Sequence, residues 1–187
     1  ILLNKETGSH SESFKSFTFD GAWCWFSDPR AVYYEGKHKR TYAGWIDSYG
    51  DVTIGYYDHT TNKIKTKVLE DNYEIDDHDN PSLIFSPEGK LMVFFTKHGG
   101  PNPFLLFTMK SSEDIDSWER NELFLNDTEL YSEFTNTNTY ANPVILSEEN
   151  NRIYLFWRGI DNKPNFSFSD DMGKSWSKSK IFVLPNR

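Results

Sequence analysis

The sequence predicts an all-β chain, a single β-propeller of which about three four-stranded blades are present. Three observations carry that expectation. First, a unit of short apolar strands separated by polar turns occurs three times, over 22–70, 78–125 and 139–184. Four short strands in roughly 40–50 residues is the size of a propeller blade. Second, Ser169-Asp170-Asp171-Met172-Gly173-Lys174-Ser175-Trp176 fits the S-x-D-x-G-x-x-W pattern of the Asp-box. Third, aromatic residues make up 17% of the chain and fall in short alternating runs, which suit strands, while no stretch shows a convincing amphipathic helical period. Ser112–Glu119 leaves room for a helical turn or two and no more.

Taken in order, Ile1–Ser16 is polar and patternless, and is expected as an extended lead-in. A start at Ile1 rather than Met is that of a processed or excised chain. Phe17–Phe26, FTFDGAWCWF, reads as strand, turn, strand. Each later unit opens on a proline, and these heads (Pro29, Pro81, Pro143) stand 52 and 62 residues apart. An apolar strand, a polar turn, a second apolar strand, a loop, a third strand and a weaker fourth follow. In the second unit, Ser82–Phe85 and Leu91–Thr96 flank a turn at Pro87–Gly89, which is a hairpin signal. The third unit predicts strands at Val144–Leu146, Ile153–Trp157, Asn165–Ser169 and Lys180–Val183. Within the Asp-box, Asp171 and Gly173 make a tight turn with Trp176 packed beneath it, so Asp171 is read as a fold residue. A propeller ring typically needs four to eight blades. The expectation is therefore part of a larger ring, completed by remaining blades or by self-association.

Composition excludes several classes. The formal charge of −8 disfavours a nucleic-acid partner. No apolar run approaches the roughly 20 residues of a membrane span. The single Cys24 rules out an internal disulfide and provides no thiolate metal site by itself. There is no Gly-rich phosphate loop, G-x-S-x-G or H-E-x-x-H. Asn126-Asp127-Thr128 and Asn165-Phe166-Ser167 match the glycosylation sequon at chance specificity.

Aligning the units by their prolines gathers the candidate site. His78 precedes the head of the second unit and Tyr140 that of the third. Trp45, His98 and Arg158 fall 16, 17 and 15 residues after their prolines, each just past a second strand. In a propeller, first-strand heads and the loops after second strands can face the same mouth. One mouth would then hold His78, His98, Tyr140, Arg158 and Trp45, with Arg30 and Trp25 beside them. Histidine and tyrosine serve as general acid or base, arginine offers a fixed fork to a carboxylate or sulfate, and a tryptophan face stacks on a sugar. Each residue has a plainer reading. A histidine at a strand end is commonly structural, Arg158 could bridge to Asp161 or Asp47, and Tyr140 could be packed like the other tyrosines. Asp76, Asp77 and Asp79 flank His78 and could ligate a cation, although turn chemistry accounts for them equally well.

The segments WCWFSDPRAV, DDHDNPSL with TKHG, and TYANPVILSEENNRIYLFWRG resemble the BNR-repeat family that includes propeller ulvan lyases. The likeness runs from Trp23 to Trp176. It implies a seven-bladed propeller, secreted or periplasmic, that cleaves an anionic uronate-containing polysaccharide by β-elimination. His78 and Tyr140 would be the acid/base pair, and Arg158 with His98 would neutralise the uronate carboxylate; which of the pair is the base stays open. No cofactor is implied for the chemistry. A further tyrosine and room for a structural metal ion belong to later blades. Two other functions remain in view: a sialidase-like or other glycoside hydrolase, suggested by the Asp-box, and a non-catalytic carbohydrate-binding propeller. A sialidase needs an arginine triad, for which only Arg30 and Arg158 are well placed.

Overall fold

The structure, a computed structural model, describes residues 15–22, 24–125 and 137–183. Among these residues, twelve strands form three four-stranded antiparallel sheets, each a meander in chain order. The first holds β1 (Ala31–Glu35), β2 (Lys39–Ile46), β3 (Val52–Asp58) and β4 (Lys63–Glu70). The second holds β5 (Ser82–Phe85), β6 (Leu91–Phe95), β7 (Phe104–Met109) and β8 (Trp118–Leu123). The third holds β9 (Thr139–Leu146), β10 (Arg152–Arg158), β11 (Pro164–Ser169) and β12 (Lys180–Ile181).

The period-2 rule of strands explains how these sheets stack. All five residues of β6 are buried, because the middle sheet has a core on each side. Leu91, Val93 and Phe95 enter one core with Tyr42, Ile54 and Met109. Met92 and Phe94 point the other way, into a core with Ile153, Leu155 and Trp157. Burying one such side chain is worth about 1.5–3 kcal/mol, so the two cores hold the sheets face to face. The β5–β6 turn closes at Gly89, whose φ is +73° and where a Cβ would lie 2.2 Å from the Tyr34 hydroxyl. Only glycine fits that approach without displacing Tyr34.

The innermost strands of the three sheets run side by side. Leu83 N donates to Pro29 O at 2.7 Å, and Ser82 Oγ donates to Ala141 O at 2.6 Å. These bonds tie the heads of β1, β5 and β9 to one another and bring the ends of β2, β6 and β10 to the same mouth. At the far side, the Ser169–Trp176 turn is held by Asp171, which accepts from Ser175 N at 2.8 Å and from the Ser169 and Ser175 hydroxyls. Trp176 packs edge-on to Phe94. The free face of the third sheet carries Tyr154, Phe156, Phe166 and Phe168 as an aromatic ladder capped by Phe182.

Several expectations are corrected. Phe17–Phe26 is not a hairpin: among its described residues only Ala22 forms a bridge, to Ile46. The rest bends, because Asp20 is engaged in capping Ser48 and because Trp25 and Phe26 turn outward instead of pairing. Ser112–Glu119 contains no helix; it is a turn leading into β8. Pro143 lies inside β9 rather than at its head, tolerated because β9 is an edge strand whose unpaired side needs no N–H. Residues 1–14 of the lead-in and the Asn126 sequon lie outside the described residues.

Candidate active site

The short 3-10 turn Asp77–Asp79 delivers His78 to the mouth. Asp76 caps that turn, its Oδ1 accepting from His78 N at 2.9 Å. The same carboxylate meets both imidazoles, with Oδ1 2.5 Å from His78 Nδ1 and Oδ2 2.8 Å from His98 Nδ1. Asp77 Oδ1 is 3.0 Å from His78 Nδ1. The two rings stack with centroids 3.9 Å apart and planes 6° from parallel. His98 is fixed further by its backbone N–H, which donates to Glu74 Oε2 at 2.9 Å.

Tyr140 arrives from the neighbouring blade through a bulge. The register of β9 against β10 shifts between Phe156 and Arg158, and Tyr140 there has φ +65°, an uncommon conformation for a bulky residue. Asn142 stabilises it, donating to Tyr140 O at 2.8 Å while accepting from Asp28 N at 3.0 Å. The bulge turns the phenol toward His78, ring centroids 5.0 Å apart. Phe26 covers the other side of Tyr140 at 5.1 Å.

Arg158 ends β10. Its guanidinium lies 4.9 Å above the Tyr140 ring and donates to His98 Nε2 at 3.2 Å and Thr139 Oγ1 at 3.3 Å. Among the described residues it makes no ion pair with a carboxylate: Asp161 is taken by Lys163, and Asp47 accepts from backbone N–H groups of its own turn. His78, His98, Tyr140 and Arg158 therefore form one cluster, and among the described residues no carboxylate pairs directly with the arginine.

Electrostatics distinguish the groups. Burial raises the Asp76 carboxyl, but the His78 N–H and the two imidazoles outweigh it and hold it at about 2. Burial pushes the Tyr140 phenol up, against the Arg158 charge and with the carboxylates of Asp77 and Asp76. Tyr140 accordingly keeps its proton at neutral pH. Behind the turn, Asp79 is 1% exposed and neither of its oxygens accepts a hydrogen bond. Burial and the neighbouring Glu74 carboxylate raise its carboxyl to about 9, so it is held as the neutral acid.

Asp76, His78 and His98 each offer a metal-ligand atom, all within 4.8 Å of one another. A metal bound to an imidazole lies close to that ring's plane. Two parallel planes share no such point, so the stacked pair does not chelate one ion in this arrangement.

The pattern of BNR repeat-containing family members matches residues 40–182. The chain belongs to the BNR repeat-containing family. No curated protein matches its sequence. Two solved structures share its fold, both of a polysaccharide lyase of the PL25 ulvan lyase family, one bound to -[GlcA(1-4)Rha3S]-. Identities are 19% and 20%, each with a TM-score of 0.68 over 90% of this chain. This BNR-repeat chain spans 41% of the length of those relatives.

The remaining sequence-predicted residues are placed differently. Trp45 is 8% exposed, its ring packed against Gly55, Gly21 and Phe17, and has no face free for a sugar. Arg30 donates to Cys24 O and pairs with Asp28 at 3.2 Å, closing the loop that carries Trp25 and Phe26. Trp25 is 74% exposed at that loop. Phe26, which sequence reasoning did not select, contacts the cluster, and so does Asp76, which it offered only as a cation ligand or turn residue. Phe26 lines a cavity of about 440 Å³ with Tyr140, Asn142, Phe156, Arg158 and Pro164.

Proposed function

We propose that this chain carries the catalytic mouth of a polysaccharide lyase that cleaves a uronate-containing, ulvan-like polymer by β-elimination. The observation behind this reading is Arg158: an arginine with no carboxylate partner among the described residues, beside two histidines and a protonated tyrosine. The C5 proton of a uronate is too weakly acidic to remove while the adjacent carboxylate stays fully negative. Arg158, held in place by His98, binds that carboxylate and stabilises the charge that develops on it, a contribution of roughly 3–4 kcal/mol per donor. His78 takes the C5 proton through Nε2. The C5–H electron pair forms the C4=C5 double bond, the C4–O4 bond breaks, and Tyr140 protonates the departing O4. The raised phenol supports Tyr140 as the acid rather than the base.

A sialidase-like hydrolysis needs three arginines on one carboxylate. Arg30, Arg40, Arg120 and Arg152 are each paired with an acid, which argues against that reading. A polymeric substrate too large to cross a membrane is met outside the cytoplasm, and we place the protein there. The test is product chemistry. Incubation with uronate polysaccharides should release a product with the ultraviolet absorbance of an unsaturated uronate, abolished in His78→Ala and Tyr140→Phe. New reducing ends without absorbance would indicate a hydrolase, and retained binding without products a carbohydrate-binding module.

A further inference from the structure

We infer that Asp76 is a positioning residue that sets the tautomers of both histidines, giving each a different job. Arginine N–H groups only donate. Since Arg158 donates to His98 Nε2, that nitrogen is an acceptor, and the His98 proton sits on Nδ1, where Asp76 Oδ2 receives it at 2.8 Å. His78 Nδ1 faces the carboxylate oxygens of Asp76 and Asp77, both acceptors. Its proton is therefore also on Nδ1, and among the described residues no hydrogen bond occupies its Nε2. One carboxylate thus turns both rings the same way. His98 presents a lone pair that anchors Arg158, and His78 presents a lone pair to solvent in the mouth. The stacking at 3.9 Å follows from two rings sharing one acceptor. Asp76 is well suited to this, because its backbone turn already fixes it through His78 N.

An amide cannot do the same work. Asn at this position accepts through one atom but donates through the other, so one imidazole meets a donor at its Nδ1 and is driven to carry its proton on Nε2. If that ring is His98, two donors face each other at Arg158. If it is His78, the base is already protonated. In a serine protease, the analogous Asp→Asn exchange lowers kcat by about 10⁴ through the wrong tautomer.

The consequence for rate rests on the lyase reading; the tautomers do not. The experiment is nitrogen-15 NMR of the histidine side chains in the full chain, read beside lyase kinetics. Wild type should show His78 and His98 as Nδ1–H tautomers. Asp76→Asn should move one of them to Nε2–H and lower kcat by about 10²–10⁴ with KM changed only a few-fold. Wild-type rings protonated on Nε2, or Asp76→Asn with both tautomers and kcat unchanged, would overturn the inference. Because the wild-type spectrum needs no variant, poor folding of Asp76→Asn leaves the test intact. Correct tautomers in a protein inert toward every uronate polymer would overturn the lyase reading and uphold the role of Asp76.

Discussion

Replacing Asp79 with Asn should make the protein more stable at neutral and alkaline pH, and the size of the effect follows from burial. In the folded chain the Asp79 carboxyl is raised to about 9; in the unfolded chain it ionises near its ordinary value of about 3.9. Between those values the folded state holds a proton that the unfolded state has lost. The stabilising contribution is complete below pH ~4, falls as pH rises, and is gone above pH ~9. The slope is about 1.4 kcal/mol per pH unit, so the ceiling between pH 5 and pH 8 is about 4 kcal/mol. Asn is isosteric and carries no charge. Urea denaturation at pH 5, 6, 7 and 8 should show wild type losing about 2–4 kcal/mol relative to Asp79→Asn across the range. Parallel stability profiles for the two proteins would refute the buried neutral acid.

Other expectations concern the mouth. Arg158→Gln should lower kcat by about 10²–10³, the loss expected for one charge-stabilising donor, with Arg158→Lys recovering part of it; steady-state kinetics on a uronate polymer decide. With Tyr140 as the acid, the alkaline limb of the kcat profile should lie above the ordinary tyrosine value of about 10, because its phenol is raised; a limb below about 10 would contradict that role. Trp45→Ala should cost about 3–5 kcal/mol of stability in denaturant, as a buried aromatic does, while the exposed Trp25→Ala should leave stability within about 0.5 kcal/mol.

Much of this architecture was legible in the chain because strands announce themselves by period and turns by Gly and Pro. The hairpin from Ser82 to Phe95 was readable that way, and the repeat of prolines aligned three blades. Counting from those prolines put His98 and Arg158 in equivalent places, and their side chains meet at 3.2 Å. The same count misplaced Trp45, for a physical reason. β6 ends at Phe95, leaving His98 in the loop beyond it, whereas β2 runs on to Ile46 and keeps Trp45 in register opposite Thr53. A strand residue obeys the pleat, and Trp45 turns against Gly55 and Gly21 instead of facing the mouth. Phe26 was hidden in an aromatic run that reads as strand but folds as a loop. Asp76 was hidden among turn-forming acids; the signal was its place two residues before a histidine, the spacing at which an aspartate caps the backbone and reaches the side chain at once.

The central claim is that His78, His98, Tyr140 and Arg158 act together on a uronate carboxylate and its C5 proton. A crystal structure of the His78→Ala protein with a uronate oligosaccharide tests this most directly. The account predicts the carboxylate on Arg158, C5 facing the space vacated by the His78 ring, and the glycosidic oxygen within hydrogen-bond reach of the Tyr140 hydroxyl. A sugar bound elsewhere on the blades, with its carboxylate away from Arg158, would contradict it.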